Sequence, residues 1–181
     1  EPDIIYVHHQ SSPFPTRIWI PPFADPVGVN APPIPARIIN TIGMTIAQEL
    51  EAHGQPGATH MLATFDAWYP GYIDYMPVFQ NIPSWWTETQ GGNCATPRIS
   101  TLADLPAPYR DLRPTPLYLS PWTEGKWGLR DAVDYMVTAS TATLGYAAAY
   151  GLRAMTARPN NHTGPGQSLR FLVPAFASQI K

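Results

Sequence analysis

Short apolar segments alternate with proline-rich polar stretches along this chain, and this pattern predicts strands and helices in alternation. The β-branched run Ile4–Val7 predicts a buried strand, and Arg17–Ile20 predicts a second strand. Isoleucines and a leucine then recur at helical spacing over residues 36–53, and Gly54 stands where a helix C-terminal cap belongs. The first third of the chain therefore predicts two strands followed by a helix.

The remaining two thirds continue the alternation. Residues Met61–Phe65 predict a strand, Pro77–Thr87 a further strand interrupted by Pro83, and residues 89–122 mostly loop. Trp127–Leu152 predicts the longest helix. Its predicted apolar face comprises Leu129, Val133, Met136, Val137, Ser140, Leu144 and Ala147. This order predicts an α/β fold, a mixed twisted sheet with helices on both faces.

The composition changes abruptly near the end of this pattern. After Arg158 comes Pro-Asn-Asn-His-Thr-Gly-Pro-Gly, which is typical of a linker, and the apolar run Leu169–Phe176 follows it. We therefore expect one domain over residues 1–157, then a linker and the start of another segment over residues 158–181. Because the first residue is Glu1 rather than Met, we also expect a further segment of the same protein upstream, and the apolar run at the end predicts one downstream.

Charge and composition exclude several classes of function. Charged residues make up 13% of the 181 residues and the net charge is −2, so the chain has no basic stripe for nucleic acid. The chain contains no run of 18 apolar residues, so the sequence predicts no membrane-spanning helix. The 22 prolines, clustered between apolar segments, indicate stiff surface loops. The single cysteine, Cys94, is interpreted as a plain loop thiol that cannot form an internal disulfide.

Two residues at predicted strand ends could carry chemistry. His9 follows the first strand, and Glu88 follows the Trp85-Trp86 pair. In α/β sheets functional groups gather beyond the carboxyl ends of strands, and imidazole and carboxylate are the groups that a hydrolytic zinc site uses. A lone histidine or glutamate is more often a surface or structural residue, and His-Glu-x-x-His is absent. The other histidines, His53, His60 and His162, are interpreted as bystanders in loop or helix-end settings.

Several segments in order resemble the zinc carboxypeptidase family of the carboxypeptidase A type, peptidase family M14, and especially a bacterial branch of it. The resemblance covers about residues 2–155. It rests on Asp3-Ile4-Ile5-Tyr6-Val7-His8-His9-Gln10 before a Pro-Pro segment, on Trp86-Thr87-Glu88-Thr89, and on the helix start at Trp127. It implies a zinc carboxypeptidase-like fold that is incomplete at its N-terminal side. It also implies Zn²⁺ as cofactor, with His9 (alternatively His8) as a zinc ligand and Glu88 as the general base.

The loop Asp66–Asp74 resembles the family's specificity loop. The resemblance implies that Ile73 lies in an apolar pocket for the last side chain of the substrate. The family's mobile tyrosine aligns with Asp66 without gaps, and with Tyr69 or Tyr72 after a small shift. The family's first two zinc ligands and its carboxylate-binding arginines lie upstream of the third ligand and have no counterpart here. We therefore expect these 181 residues alone to bind zinc poorly and not to hydrolyse peptides.

The resemblance implies a metallocarboxypeptidase that hydrolyses peptide amide bonds. It also suggests a secreted or periplasmic protein. Two alternatives remain open at the level of sequence. One is an amidohydrolase of small acyl-amino acids on the same fold. The other is a non-catalytic peptide- or glycan-binding module, with a degenerate zinc site and an aromatic loop over Trp68–Tyr75.

Overall fold

The computed structural model describes residues 2–11, 14–61, 66–69, 71–91 and 96–157. It contains two long helices, α1 (Pro33–Ala52) and α2 (Leu129–Ala149), and 3₁₀ helices at Ile73–Gln80, Leu102–Asp104 and Ala107–Tyr109. The strands are β1 (Ile4–Ser11), β2 (Ile18–Ile20), β3 (Ala24–Val27), β4 (Ala58–His60), β5 (Asp66–Ala67), β6 (Ser84–Gln90), β7 (Arg98–Ser100), β8 (Gly125–Trp127) and β9 (Ala154–Ala157).

Five strands form a mixed sheet in the order β4-β2-β6-β1-β9. Strand β1 pairs in parallel with both β6 and β9, whereas β2 runs antiparallel to β6 and parallel to β4. Two small ribbons, β3-β5 and β7-β8, lie outside this sheet. The mixed α/β class that the sequence predicts is confirmed. In the described part of the chain, no helix is both long and apolar enough to cross a membrane.

Both long helices pack on the same face of the sheet. Side chains of α1 (Ile39, Ile42, Ile46 and Leu50) and of α2 (Ala132, Tyr135 and Ala139) share one buried cluster with Ile4, Tyr6, Ile18, Ile20 and Trp85. In each strand these sheet residues alternate with residues that point the other way. The expectation of helices on both faces is therefore wrong for the described α-helices. Both lie on one face of the sheet, where they also pack against each other.

The opposite face of the sheet carries a smaller cluster. Val7, Trp19, Met61 and Trp86 are buried there. Phe23 and Tyr72 pack against them from the chain around the sheet, and their rings lie 4.3 Å and 4.9 Å from the Trp86 ring, centroid to centroid. Aromatic side chains from loops thus cover this face where a helix was expected.

Two predicted strands differ from the observed elements. The strand predicted at Met61–Phe65 is wrong at its start, because β4 ends at His60 and Met61 lies outside any strand; residues 62–65 fall outside the described chain. Residues 77–80 of the predicted strand Pro77–Thr87 belong to the 3₁₀ helix Ile73–Gln80, whose C-cap residue, Asn81, has the left-handed conformation (φ 61°). Strand β6 begins only after Pro83, since proline cannot donate a hydrogen bond to the neighbouring strand.

The apolar face predicted for α2 is also wrong in part. Leu129, Val137 and Leu144 are each about half exposed, whereas the small residues Ala139 and Ala142 are buried. Small side chains let α2 lie close to α1 and the sheet. The closeness of this approach, rather than the size of an apolar side chain, therefore determines which residues of α2 are buried. The helix also starts two residues later and ends three residues earlier than predicted, and β9 follows it. Cys94, His162 and the predicted segment 158–181 lie outside the described residues.

Candidate active site

His9 and Glu88 face each other across two neighbouring strands. Strands β1 and β6 are parallel and in register, and His9 is the direct partner of Glu88 in this pairing. Both positions lie in the carboxyl-terminal halves of their strands. The Nδ1–H of His9 donates a hydrogen bond to Oε2 of Glu88 over 3.0 Å. The structure therefore brings together the two residues that the sequence selected separately.

The two side chains differ sharply in exposure. The Glu88 side chain is 2% exposed, whereas the His9 side chain is 58% exposed. The hydrogen bond with Glu88 raises the pKa of His9 above its ordinary value, against the opposing effect of burial. Because Nδ1 is engaged by the carboxylate, Nε2 is the ring atom of His9 that remains for a ligand or a proton. A buried carboxylate behind an accessible imidazole fixes the ring orientation and increases its basicity.

Strand alternation separates His8 from this pair. His8 is 7% exposed and points to the helix-covered face, where its Nε2 lies 2.8 Å from Oγ of Ser140 in α2. Its ring packs on Tyr6, with 4.5 Å between the ring centroids. The structure thus places His9, and not His8, on the same face as Glu88.

A third ionisable residue, Asp74, lies close to the pair and was not among the candidates from sequence. It occupies the first turn of the 3₁₀ helix, and its buried Oδ2 has no hydrogen-bond partner among the described residues. Burial raises the pKa of Asp74, and the charges of His9 and Glu88 also influence it. The sequence signal for Asp74 was its position in the loop that resembles a specificity loop. The direction of its carboxylate depends on how that loop folds.

Tyr72 and Tyr69 extend an aromatic row from the site. The Tyr72 ring lies 4.9 Å from the Trp86 ring, and the Tyr69 ring lies 4.9 Å from that of Tyr72. Trp86 precedes Glu88 by two residues, so both side chains lie on the same face of β6. Tyr69 is 54% exposed. The side chains of Ile73, predicted to lie in an apolar pocket, and of Asp66, aligned with the mobile tyrosine, lie outside the described residues.

The remaining described histidines lie in other settings. His53 forms the C-cap of α1, as expected for a helix end. The loop or helix-end setting expected for His60 is wrong: His60 is buried in strand β4, and its Nδ1–H donates a 2.7 Å hydrogen bond to the carbonyl oxygen of Pro21. Burial lowers the pKa of His60. Its ring is thus held in the interior as a structural group.

The donor set can be compared with what a zinc ion needs. His9 fits as one ligand, because it offers an accessible ring nitrogen backed by a carboxylate. Among the described residues, however, no three His, Cys, Asp or Glu side chains are grouped so that they could hold a metal ion. A complete zinc site would need further ligands from outside these residues.

Comparisons with known proteins add no assignment. No protein-family model, no curated protein and no solved structure matches this chain. The interpretation of the site therefore depends on the geometry of His9, Glu88 and their neighbours, together with the motifs that resemble zinc carboxypeptidases.

Proposed function

We propose that this protein hydrolyses peptide amide bonds at the site formed by His9 and Glu88, as a zinc-dependent carboxypeptidase-like enzyme. One observation carries the proposal. An accessible imidazole and a buried carboxylate are paired at 3.0 Å near the carboxyl ends of two parallel strands, where α/β folds gather their reacting groups. The order of motifs in the sequence is the second line of support.

His9 would contribute its Nε2 atom to the zinc ion. Zinc would polarise the amide carbonyl and acidify the attacking water. To accept a proton from that water and pass it to the amide nitrogen as the carbon–nitrogen bond breaks, the carboxylate of Glu88 would have to leave Nδ1 of His9, because the zinc ion and its water would lie on the Nε2 side of the ring. The proposal requires two more ligands from protein outside the described residues. The exposed ring of Tyr69 and the half-buried ring of Tyr72 would contact the substrate beside the pair.

The hydrogen bond between Glu88 and His9 suggests two separable roles for Glu88. As a proton carrier it would act on the substrate, and as a partner of His9 it would orient the zinc ligand. The substitution Glu88→Gln distinguishes them, because the amide keeps the size of the side chain but cannot accept the proton. If Glu88 is the base, turnover falls by at least about 100-fold while zinc affinity is retained.

The measurement uses the full-length protein, with zinc content and peptide hydrolysis assayed on the same samples. Glu124→Gln, at an exposed position far along the chain, is the matched control and should change neither quantity. A loss of zinc affinity of about 10- to 100-fold would instead assign Glu88 to orienting His9. Undiminished turnover in Glu88→Gln would contradict a catalytic role of this residue.

A second candidate function is a peptide- or glycan-binding module without catalysis. Two observations favour it: Trp68 and Tyr69 present exposed rings, and the described residues hold no complete metal site. Such a module would bind peptide or glycan equally well with and without zinc, and Glu88→Gln would leave binding unchanged. An enzyme active on small acyl-amino acids would be separated from a peptidase by comparing the hydrolysis of both substrate classes.

A further inference from the structure

An apolar cavity of about 70 Å³ lies between the start of α1, the β3-β5 ribbon and the amino end of β6. Its walls include Phe23, Ile39, Val78 and Trp86, and its rim includes Ala36 and Asn40. Ile39, Val78 and Trp86 are each at most 5% exposed. Asn40 is exposed, so the cavity reaches the surface beside the first turns of α1.

One buried polar group forms part of this wall. Ser84, the first residue of β6, is 3% exposed, and its hydroxyl has no hydrogen-bond partner among the described residues. Leaving a buried hydroxyl without a partner costs about 1–3 kcal/mol, so such groups usually have one. A second hydroxyl in the wall, that of Tyr75, accepts a hydrogen bond from the backbone N–H of Gly28 over 3.1 Å.

The chemistry of the walls restricts what can bind. Among the described residues, those that line the cavity carry no charge, so a charged ligand would lose its hydration without compensation from them. The size restricts it further, since an engineered apolar cavity of ~150 Å³ holds benzene. By that scale this cavity takes about three non-hydrogen atoms, and a fourth can lie in its mouth, which reaches the surface beside Asn40.

We propose that this cavity is a binding site for a neutral, short alkyl group that carries one hydrogen-bonding group, such as an alcohol or a primary amide. The alkyl part contacts Ile39, Val78 and Trp86, and the polar end pairs with the Ser84 hydroxyl. Neither His9 nor Glu88 lines this cavity, and binding there requires neither zinc nor hydrolysis. A failure to bind this ligand would not count against the proposed hydrolysis, and a failure to hydrolyse peptides would not count against this site.

Propan-1-ol is the probe, titrated into the metal-free protein and followed by NMR shifts of the Ile39 and Val78 methyl groups. We expect saturable shifts with a dissociation constant in the range of about 1–50 mM, as suits a ligand of four non-hydrogen atoms. Propan-1-amine has the same shape but is charged at neutral pH. It should bind at least about tenfold more weakly, because its ammonium group would enter an uncharged wall.

Two variants locate the site. Ser84→Ala removes the hydroxyl and should weaken propan-1-ol binding about fivefold, the effect of one neutral hydrogen bond. Thr89→Val is its matched control on the other face of β6, where another buried hydroxyl without a partner among the described residues is removed. Ala36→Leu should fill the mouth and abolish saturable binding, whereas Ala148→Leu, at an exposed position of α2, should not.

Several results would overturn the proposal. No saturable shift in the folded wild-type protein would show that the cavity holds only water. Equal affinity in Ser84→Ala would remove the hydrogen bond from the proposal, and unchanged binding in a folded Ala36→Leu protein would place the alcohol elsewhere. If Ala36→Leu does not fold, the comparison of Ser84→Ala with Thr89→Val still decides.

Discussion

At the scale of single residues, strand alternation determines which side chains can act together. His8 and His9 are neighbours in the sequence, yet one contacts Ser140 of α2 and the other Glu88 of β6. The parallel register of β1 and β6 turns a separation of 79 positions into a hydrogen bond of 3.0 Å. A shift of the register by one residue would place Thr87 or Thr89 opposite His9 and leave the imidazole without a carboxylate partner.

The same scale gives a prediction about pH and His60. Burial lowers the pKa of His60 below the ordinary histidine value of 6.5. The unfolded chain therefore binds a proton more readily than the folded protein does. The contribution of His60 to stability is complete above about pH 6.5 and decreases as the pH falls below it. In His60→Gln, the difference in the free energy of unfolding between about pH 7.5 and about pH 5.5 should be smaller than in the wild-type protein.

Urea unfolding at both pH values measures this difference. A difference in His60→Gln as large as in the wild-type protein would show that His60 is not responsible for the loss of stability.

Sequence alone found His9 and Glu88 but not Asp74. The first two follow apolar runs that predict strands, although β1 and β6 continue past them to Ser11 and Gln90. Asp74 comes near them only because residues 73–80 form a 3₁₀ helix where no apolar periodicity indicates one. Local pattern therefore predicted the parts of the site that lie on the sheet and missed the part contributed by a folded loop.

At the scale of elements, the close packing of helix α1 on neighbouring backbone depends on a residue, Gly43, that hydrophobic periodicity does not select. Helix α1 has a glycine in its middle, Gly43, although glycine weakens a helix by roughly 0.5–1 kcal/mol relative to alanine. A methyl group at this position would lie 2.1 Å from the carbonyl oxygen of Pro21. Gly43 thus lets α1 pack on the turn that follows β2. This contact sets the position of α1 over the sheet.

Gly43→Ala should destabilise the protein by about 1–3 kcal/mol, because the clash with backbone outweighs the gain in helix propensity. Gly145→Ala in α2 is the matched control. No described residue lies within 4 Å of the methyl group that it would add, so it should stabilise the protein by about 0.5–1 kcal/mol. Chemical denaturation of both variants measures the effect. A stabilised Gly43→Ala protein would contradict the close packing of α1 on Pro21.

At the scale of the whole molecule, a buried arginine joins segments that are distant in the sequence. Arg17 is 2% exposed, and its Nε and Nη2 donate hydrogen bonds to the carbonyl oxygen of Pro15. Its guanidinium carbon lies 4.5 Å from the ring centroid of Trp122 and 5.0 Å from that of Trp127. Burial lowers the pKa of Arg17 to about 10, so it remains charged at neutral pH. One cation, the Arg17 guanidinium, thereby contacts residue 15, the loop at Trp122 and strand β8.

Arg17→Lys should lower the free energy of unfolding by about 1–3 kcal/mol, because an ammonium group cannot stack on two indoles and donate the same two hydrogen bonds. Arg98→Lys is the matched control. Arg98 also lies over an aromatic ring, that of Phe14 at 4.8 Å, but it is exposed, so the loss should stay below about 1 kcal/mol. Equal losses in the two variants, measured by denaturation, would show that burial adds nothing to the contribution of Arg17.

The sequence by itself determined the α/β class, the first strands and the two long helices within a few residues, and it selected His9 and Glu88 as candidates near strand ends. These follow from local periodicity and from where apolar runs stop. Only the tertiary structure decided that both helices share one face, that α2 buries alanines and exposes leucines, and that His9 pairs with Glu88. Those outcomes depend on register and on close contact between elements far apart in the chain, which no local pattern encodes.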